Sequence, residues 1–239
     1  IQILKGRIIA VVLLIIYSVV SQMMPVVGIA LAIALLISIP YFINKSLAFN
    51  RRMTSYNNIQ FRFNATYGQA VMALIVWPLL GVFSFGLLYP KAFKEMNAYV
   101  VNNASYGNTP FSFSAKTWDY GKPFLLAVAV ILSVGLITIV VPSTFPELQN
   151  YLFLIVLPIY FALMIFFTVT VNNIFYKNLH IEKHNFNASL TMPGLFKVML
   201  INVLLVIVTL GLYLPAAKIR MIKYLANHIS LEANGSLEN

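Results

Sequence analysis

The sequence predicts an all-α integral membrane protein with about six membrane-embedded helices in two tandem three-span repeats, and short strand-like F-x-F segments in its polar loops. Three observations carry this expectation. Hydrophobic residues make up 60% of the 239 and charged residues only 9%, against roughly 25% charged in a soluble domain. A chain so poor in charge cannot wet its own surface, but it suits lipid. The apolar residues fall in continuous runs rather than alternating ones, as backbone that must satisfy itself in hydrocarbon requires. The two halves also echo one another.

Six runs are long enough, since a spanning helix needs about 20 apolar residues. They cover approximately residues 8–24, 26–43, 69–89, 124–141, 151–171 and 198–217, and none contains Asp, Glu, Lys, Arg or His. The first two are joined only by a turn over residues 21–25, which predicts an antiparallel hairpin, and the fourth and fifth by the proline-bounded segment 142–150. Proline cannot continue the helical hydrogen-bond ladder and is read here as a stop. The third run carries Pro78, Gly86 and Pro90 and the sixth Gly211 and Pro215, so both are expected to be kinked or broken. The chain starts at Ile1 without Met and without a signal-peptide layout, and is read as lacking its original start.

An internal duplication gives the domain organisation, a first repeat over 1–123 and a second over 124–239 that ends in a basic tail. Ser84-Phe85-Gly86-Leu87-Leu88-Tyr89-Pro90 matches Thr209-Leu210-Gly211-Leu212-Tyr213-Leu214-Pro215 at an offset of 125, and Asn64-Ala65-Thr66 matches Asn187-Ala188-Ser189 at 123. Within the first half, Ser55-Tyr56 through Phe61-Arg62-Phe63 matches Ser105-Tyr106 through Phe111-Ser112-Phe113 at an offset of 50. Asn57-Asn58 and Tyr106-Gly107-Asn108 are the expected turns between a helical extension and a short strand.

Charge is lopsided, 16 Lys+Arg against 6 Asp+Glu. The basic residues flank apolar runs, which points to a membrane surface and not to nucleic acid. If all six runs cross, the two sides hold 9 and 7 Lys+Arg, almost without bias. If the third and sixth runs enter and return, all 16 fall on one side. That split favours a re-entrant path, although half-helices of ten residues would reach only about 15 Å. After Pro215, the apolar and basic residues from Lys218 to Lys223 separate as in a helix lying along the headgroups.

The stretches Met53-Thr54-Ser55 through Asn64, Asn103-Ala104-Ser105-Tyr106-Gly107 with Phe111, and Thr209-Leu210-Gly211-Leu212-Tyr213-Leu214-Pro215 through Lys218 with Arg220 and Tyr224 resemble the YjgN-like family. That family groups bacterial inner-membrane proteins as a domain of unknown function. The resemblance extends over essentially the whole chain. It implies a multi-pass protein of the bacterial inner (cytoplasmic) membrane, and it brings no activity or catalytic residue with it. Ala216 departs from the family's usual Trp, and a further span of the same kind normally precedes the region of Lys5-Gly6-Arg7.

No catalytic, cofactor-binding or metal site is expected. The chain lacks cysteine, a G-x-S-x-G elbow and a phosphate-binding glycine loop. His180 and His184, with Glu182 between them and His228 far off, fall short of a metal ligand set. Asn-X-Ser/Thr patterns at Asn64, Asn103, Asn187 and Asn234 carry no meaning in a bacterial inner-membrane protein. The sequence therefore predicts a non-enzymatic protein. Lys45, Arg51, Arg52, Lys218, Arg220 and Lys223 are its candidate headgroup-binding residues, each contributing about 1 kcal/mol near an anionic surface. The expected partners are the lipid bilayer, anionic lipids in particular, and a membrane protein or a second copy of this chain. The alternative is a transporter or channel with a site near the broken third and sixth spans. Ser84, Asn202 and Thr209 would line its pathway, or would only join helix to helix.

Overall fold

The computed structural model describes Ile15 and residues 17–232. The expected first span therefore lies mostly outside the described residues; residues 17–23, its end, are helical and are called α1. Helix α2 (Pro25–Arg52) starts at once, with proline in its first turn, where the missing N–H costs nothing. At 1.5 Å per residue its 28 residues run about 42 Å. That exceeds a hydrocarbon core of about 30 Å, so the end bearing Lys45, Arg51 and Arg52 projects past the apolar stretch. Helices α5 (Thr117–Thr144, 28 residues) and α6 (Leu152–Lys177, 26 residues) are of similar length and are joined by a 3-10 turn over Pro146–Tyr151. These three, α2, α5 and α6, are the described helices long and apolar enough to cross a membrane.

The third and sixth runs behave differently, and here the expected 21- and 20-residue spans need correction. Helix α3 (Tyr67–Phe83) and helix α7 (Met192–Val208) are apolar but end at a reversal. At Phe85 and Gly86 φ is +52° and +94°, and at Leu210 and Gly211 it is +48° and +93°. The Gly86 N–H donates back to the Gly81 carbonyl at 2.8 Å, and the Gly211 N–H to that of Val206 at 2.8 Å, closing each helix end. Helix α4 (Tyr89–Asn102) and helix α8 (Leu214–Asn227) then run back against α3 and α7. Prolines 90 and 215 start these return helices, in the first-turn position, and are not stops. The helix after Pro215 packs along α7 rather than lying free. Pro78 does not break α3 either; residues Met72–Val76 just before it widen into a π-turn, which makes room for a proline ring that would otherwise strike the carbonyl four residues back.

The all-α expectation is also corrected. Seven short antiparallel strands form one meander in chain order: β1 (Ser55–Tyr56), β2 (Ile59–Phe63), β3 (Ala104–Tyr106), β4 (Thr109–Phe113), β5 (Leu179–Ile181), β6 (His184–Ala188) and β7 (Ile229–Glu232). Two-residue turns join β1 to β2, β3 to β4 and β5 to β6, with positive φ at Asn57, Asn58, Gly107 and Glu182, as tight hairpins demand. Each hairpin links the end of one helix to the start of the next, so every strand lies at one end of the helices. The reversals at Ser84–Leu88 and Thr209–Tyr213 lie away from it.

The element bounds coincide at fixed offsets. β2 and β4 stand 50 residues apart, β2 and β6 stand 125 apart, and so do α4 and α8. Phe61 therefore corresponds to Phe186, which replaces the 123-residue offset read from the Asn-Ala patterns. Two small cores support the sheet, one in each half of the chain. Phe63, Ala70, Ala73, Tyr99 and Ala104 form one, and Ile165, Val169, Leu190, Leu195 and Tyr224 the other.

Candidate functional site

Alternation along the strands sorts residues onto two faces of the sheet. In register, Phe61 pairs with Tyr106, Phe111 with Ile181, and Phe186 with Leu231. The residues between them, Arg62 with Ser105 and Ser112 with His180, turn the other way. One face is aromatic and aliphatic, the other polar. The apolar face is concave. Tyr56 of the first strand and Leu231 of the last both line a single half-open cavity of about 680 Å³, to whose wall Val101 of α4 and Phe175 and Tyr176 of α6 also contribute. The Phe61 and Phe111 rings stack 6.2 Å apart at 11°, and Tyr106 lies 5.1 Å from Phe61.

Charge enters this bowl at few points. Arg51, at the end of α2, is the cation in its lining and Glu182 the carboxylate. Glu182 Oε1 accepts the Thr109 hydroxyl at 3.3 Å. Among the described residues the one ion pair is Lys94–Glu95 at 3.0 Å, so no carboxylate neutralises Arg51. His184 Nδ1 is buried and has no hydrogen-bond partner.

The six candidate headgroup-binding residues lie on two helices. Lys45, Arg51 and Arg52 end α2 beside the first strand, while Lys218, Arg220 and Lys223 lie on α8, which leads into the last. Of the six, only Arg51 faces the bowl. The Arg220 guanidinium lies over the Tyr213 ring at 5.3 Å and donates to Asn202 Oδ1 at 3.3 Å, and Asn202 Nδ2 donates to the Ala217 carbonyl at 3.2 Å. Asn202 thus ties α7 to α8. Ser84 Oγ accepts the Leu88 N–H at 3.0 Å, and Thr209 Oγ1 accepts the Tyr213 N–H at 3.0 Å. Both hydroxyls hold the reversals. Gly86 and Gly211 supply the left-handed backbone there, and Pro90 and Pro215 open the helices that follow.

His180 and His184 are neighbours in one hairpin but face opposite sides of the sheet, because His180 pairs with Asn185 and His184 with Ile181. His180 Nε2 lies 2.7 Å from Ser114 Oγ and its Nδ1 lies 2.7 Å from Asn185 Oδ1. This row of serine, imidazole and amide follows the order of a nucleophile, a base and its orienter. The Ser114 N–H, however, is spent on the Asn178 carbonyl at 3.1 Å, and so is not free to stabilise an oxyanion. The cluster joins β4, β5 and β6 on the polar face.

Sequence reasoning missed a second groove, about 560 Å³, between the π-turn of α3 and the return helix α4. Gln69, Trp77, Glu95, Tyr99 and Asn102 line it. The helical extension expected before the Tyr106 turn could not be set against α3 from sequence, which hid the fact that the return helices carry ionisable groups alongside apolar ones. Lys91, for example, stands 4.2 Å over the Trp77 ring.

The profile of a family described as "Bacterial protein of unknown function (DUF898)" matches residues 1–239. The chain is also similar to the "Inner membrane protein YjgN" of Escherichia coli O157:H7, at 22% identity over 272 residues, covering 89% of this chain and 68% of that protein. No solved structure matches.

Proposed function

We propose a role at the lipid boundary for this chain, which belongs to the DUF898 family of bacterial proteins of unknown function. In this reading it is a non-enzymatic, multi-pass protein of the inner membrane, built as two matching units, and it engages anionic lipid at its sheet-capped end. One observation carries the reading: α2, a helix long enough to cross, overruns the hydrocarbon thickness and ends in Arg51 and Arg52 beside the sheet. Headgroup phosphates gather at that depth, and each Lys or Arg there attracts them by about 1 kcal/mol. The relationship to an inner-membrane protein agrees with the location.

Native mass spectrometry of the full chain tests it, using an equal mixture of phosphatidylglycerol and phosphatidylethanolamine. Selective retention of phosphatidylglycerol that falls as salt rises is expected. Retention indifferent to headgroup charge and to salt overturns the reading.

A second reading, a transporter or channel, is favoured by the two helix–reversal–helix units whose return helices start 125 residues apart. Paired interrupted helices commonly surround a central site. Solute flux into proteoliposomes that vanishes on cross-linking the two units is the result it requires.

A further inference from the structure

We infer that the bowl of the sheet is a binding site for the carboxylate and chain of one long-chain fatty acid, with Arg51 as its anion anchor. The inference rests on the lipid-boundary reading and names a ligand for it. Four features of the site select this chemistry.

The first is shape. Strands from β1 to β7 line one cavity, so the sheet curls about its contents as small ligand-binding barrels do. The ends of α4 and α6 add Val101, Phe175 and Tyr176 to its wall.

Size is the second. A cavity of about 680 Å³ lies within the roughly 300–1,000 Å³ of sites that hold one small molecule. A single acyl chain with its carboxylate is a ligand of that size class, whereas a two-chain phospholipid is more than twice as large.

The third is the lining. Phe61, Phe111, Phe175 and Phe186 present ring surface, and of the polar groups beside them the Tyr106 hydroxyl already donates to the Tyr56 carbonyl and the Thr109 hydroxyl to Glu182. A sugar or nucleotide buried there would leave hydrogen-bonding groups unpaired, at about 1–3 kcal/mol each. An alkyl chain has none to lose.

The fourth is charge. Arg51 carries a guanidinium without a carboxylate partner among the described residues, and its planar fork suits a carboxylate held through two oxygens. The acid in the lining, Glu182, is already turned to Thr109. Position agrees with chemistry: the bowl sits where helices that cross a membrane come to an end, and fatty acids partition at that boundary.

The test uses the full chain in nanodiscs of uncharged, zwitterionic lipid, titrated with a dansyl-labelled long-chain fatty acid and with the matching dansyl alcohol. Saturable binding of one fatty acid per chain is expected. Arg51→Gln weakens the acid at least tenfold and leaves the alcohol unchanged, whereas Phe111→Ala weakens both. Phe186→Leu, a milder change in the same wall, repeats the second arm if Phe111→Ala lowers the melting temperature. Non-saturable uptake, or an Arg51→Gln variant that treats acid and alcohol alike, overturns the inference. So does native mass spectrometry that finds a two-chain phospholipid in the site. Salt-dependent retention of phosphatidylglycerol is measured on the same samples. If it persists without a fatty-acid site, the bowl inference falls alone; if it also disappears, the lipid-boundary reading falls with it.

Discussion

The Tyr224 hydroxyl donates to the Thr191 carbonyl at 3.1 Å and accepts the Thr191 N–H at 3.3 Å. One side chain near the end of α8 thereby closes the chain at the residue that caps α7. In the first half Tyr99, 125 residues earlier, donates its hydroxyl to Asn44 Oδ1, and Asn44 Nδ2 donates to the Thr66 carbonyl at 3.1 Å. The same tyrosine thus pins the same cap, directly in one half and through an amide in the other.

Removing either hydroxyl tests this pin. Tyr224→Phe and Tyr99→Phe each lose their bonds while keeping the ring, and about 1 kcal/mol of stability is the expected cost. Thermal unfolding in detergent measures it, and melting temperatures equal to wild type would show that the hydroxyls carry no load.

Gly194 makes a harsher probe of the same place. A Cβ built there would lie 2.7 Å from the Tyr224 hydroxyl and 2.8 Å from Thr191 Oγ1. Gly194→Ala is expected to destabilise by more than Tyr224→Phe, and the double variant to recover part of the loss because the clashing hydroxyl is gone. A double-mutant cycle on thermal melts shows whether the two changes couple.

The reversals predict a purely conformational cost. No atom lies within 4 Å of a Cβ built on Gly211, but its φ is +93°, so Gly211→Ala should lose about 1–2 kcal/mol. Gly135 has equally open space without a positive φ, and Gly135→Ala in mid-helix should be neutral or stabilising, by up to about 1 kcal/mol. Equal melting temperatures for the two variants would count against the left-handed turn.

Asn202 and Arg220 distinguish helix packing from a solute pathway. If the amide serves to join α7 to α8, Asn202→Leu and Arg220→Leu will be coupled by about 0.6–1.7 kcal/mol, the range seen for hydrogen bonds between membrane helices. Additive effects on unfolding would release Asn202 from that role.

Sidedness follows from the strands. Single cysteines at Gln60, Ser112 and Lys183, all exposed at the sheet end, should react from one side of the membrane with an impermeant maleimide. Gln149, in the turn between α5 and α6, should react from the other. The chain has no native cysteine to confuse the result. Labelling of Lys183 and Gln149 from the same side overturns the arrangement.

Much of this was legible in the residues. α2, α5 and α6 are continuous apolar runs, and such runs have few alternatives. The Phe61-Arg62-Phe63 and Phe111-Ser112-Phe113 alternation marked strands, but not that they join: β4 and β5 meet only because α5 and α6 carry the chain out and back, which no local pattern encodes. The return helices were legible in part, since the charge split favours a path that enters and returns and a helix is expected after Pro215. Pro90 and Pro215 look alike as helix stops and as helix starts, so where each return begins is not marked, and the mixed composition of Tyr89–Asn102 does not show which side packs until Tyr99 and Val101 are seen buried. The bowl was invisible for both reasons at once, since its walls come from four separate stretches of chain. Arg51 was picked out for its charge; the cavity it faces could not be.

The ribbon of strands also sets an order of events. Phe63 pairs with Ala104, Phe113 with Leu179 and Ala188 with Ile229, so its seams join residues 41, 66 and 41 positions apart. None can form until the intervening helices have reached the bilayer, because contacts so distant in sequence must wait for the loops between them to close. The last strand follows the last helix described. Zipping of the ribbon therefore comes late in assembly. A chain stalled or clipped before β7 leaves β6 an open seam and the bowl without its final wall.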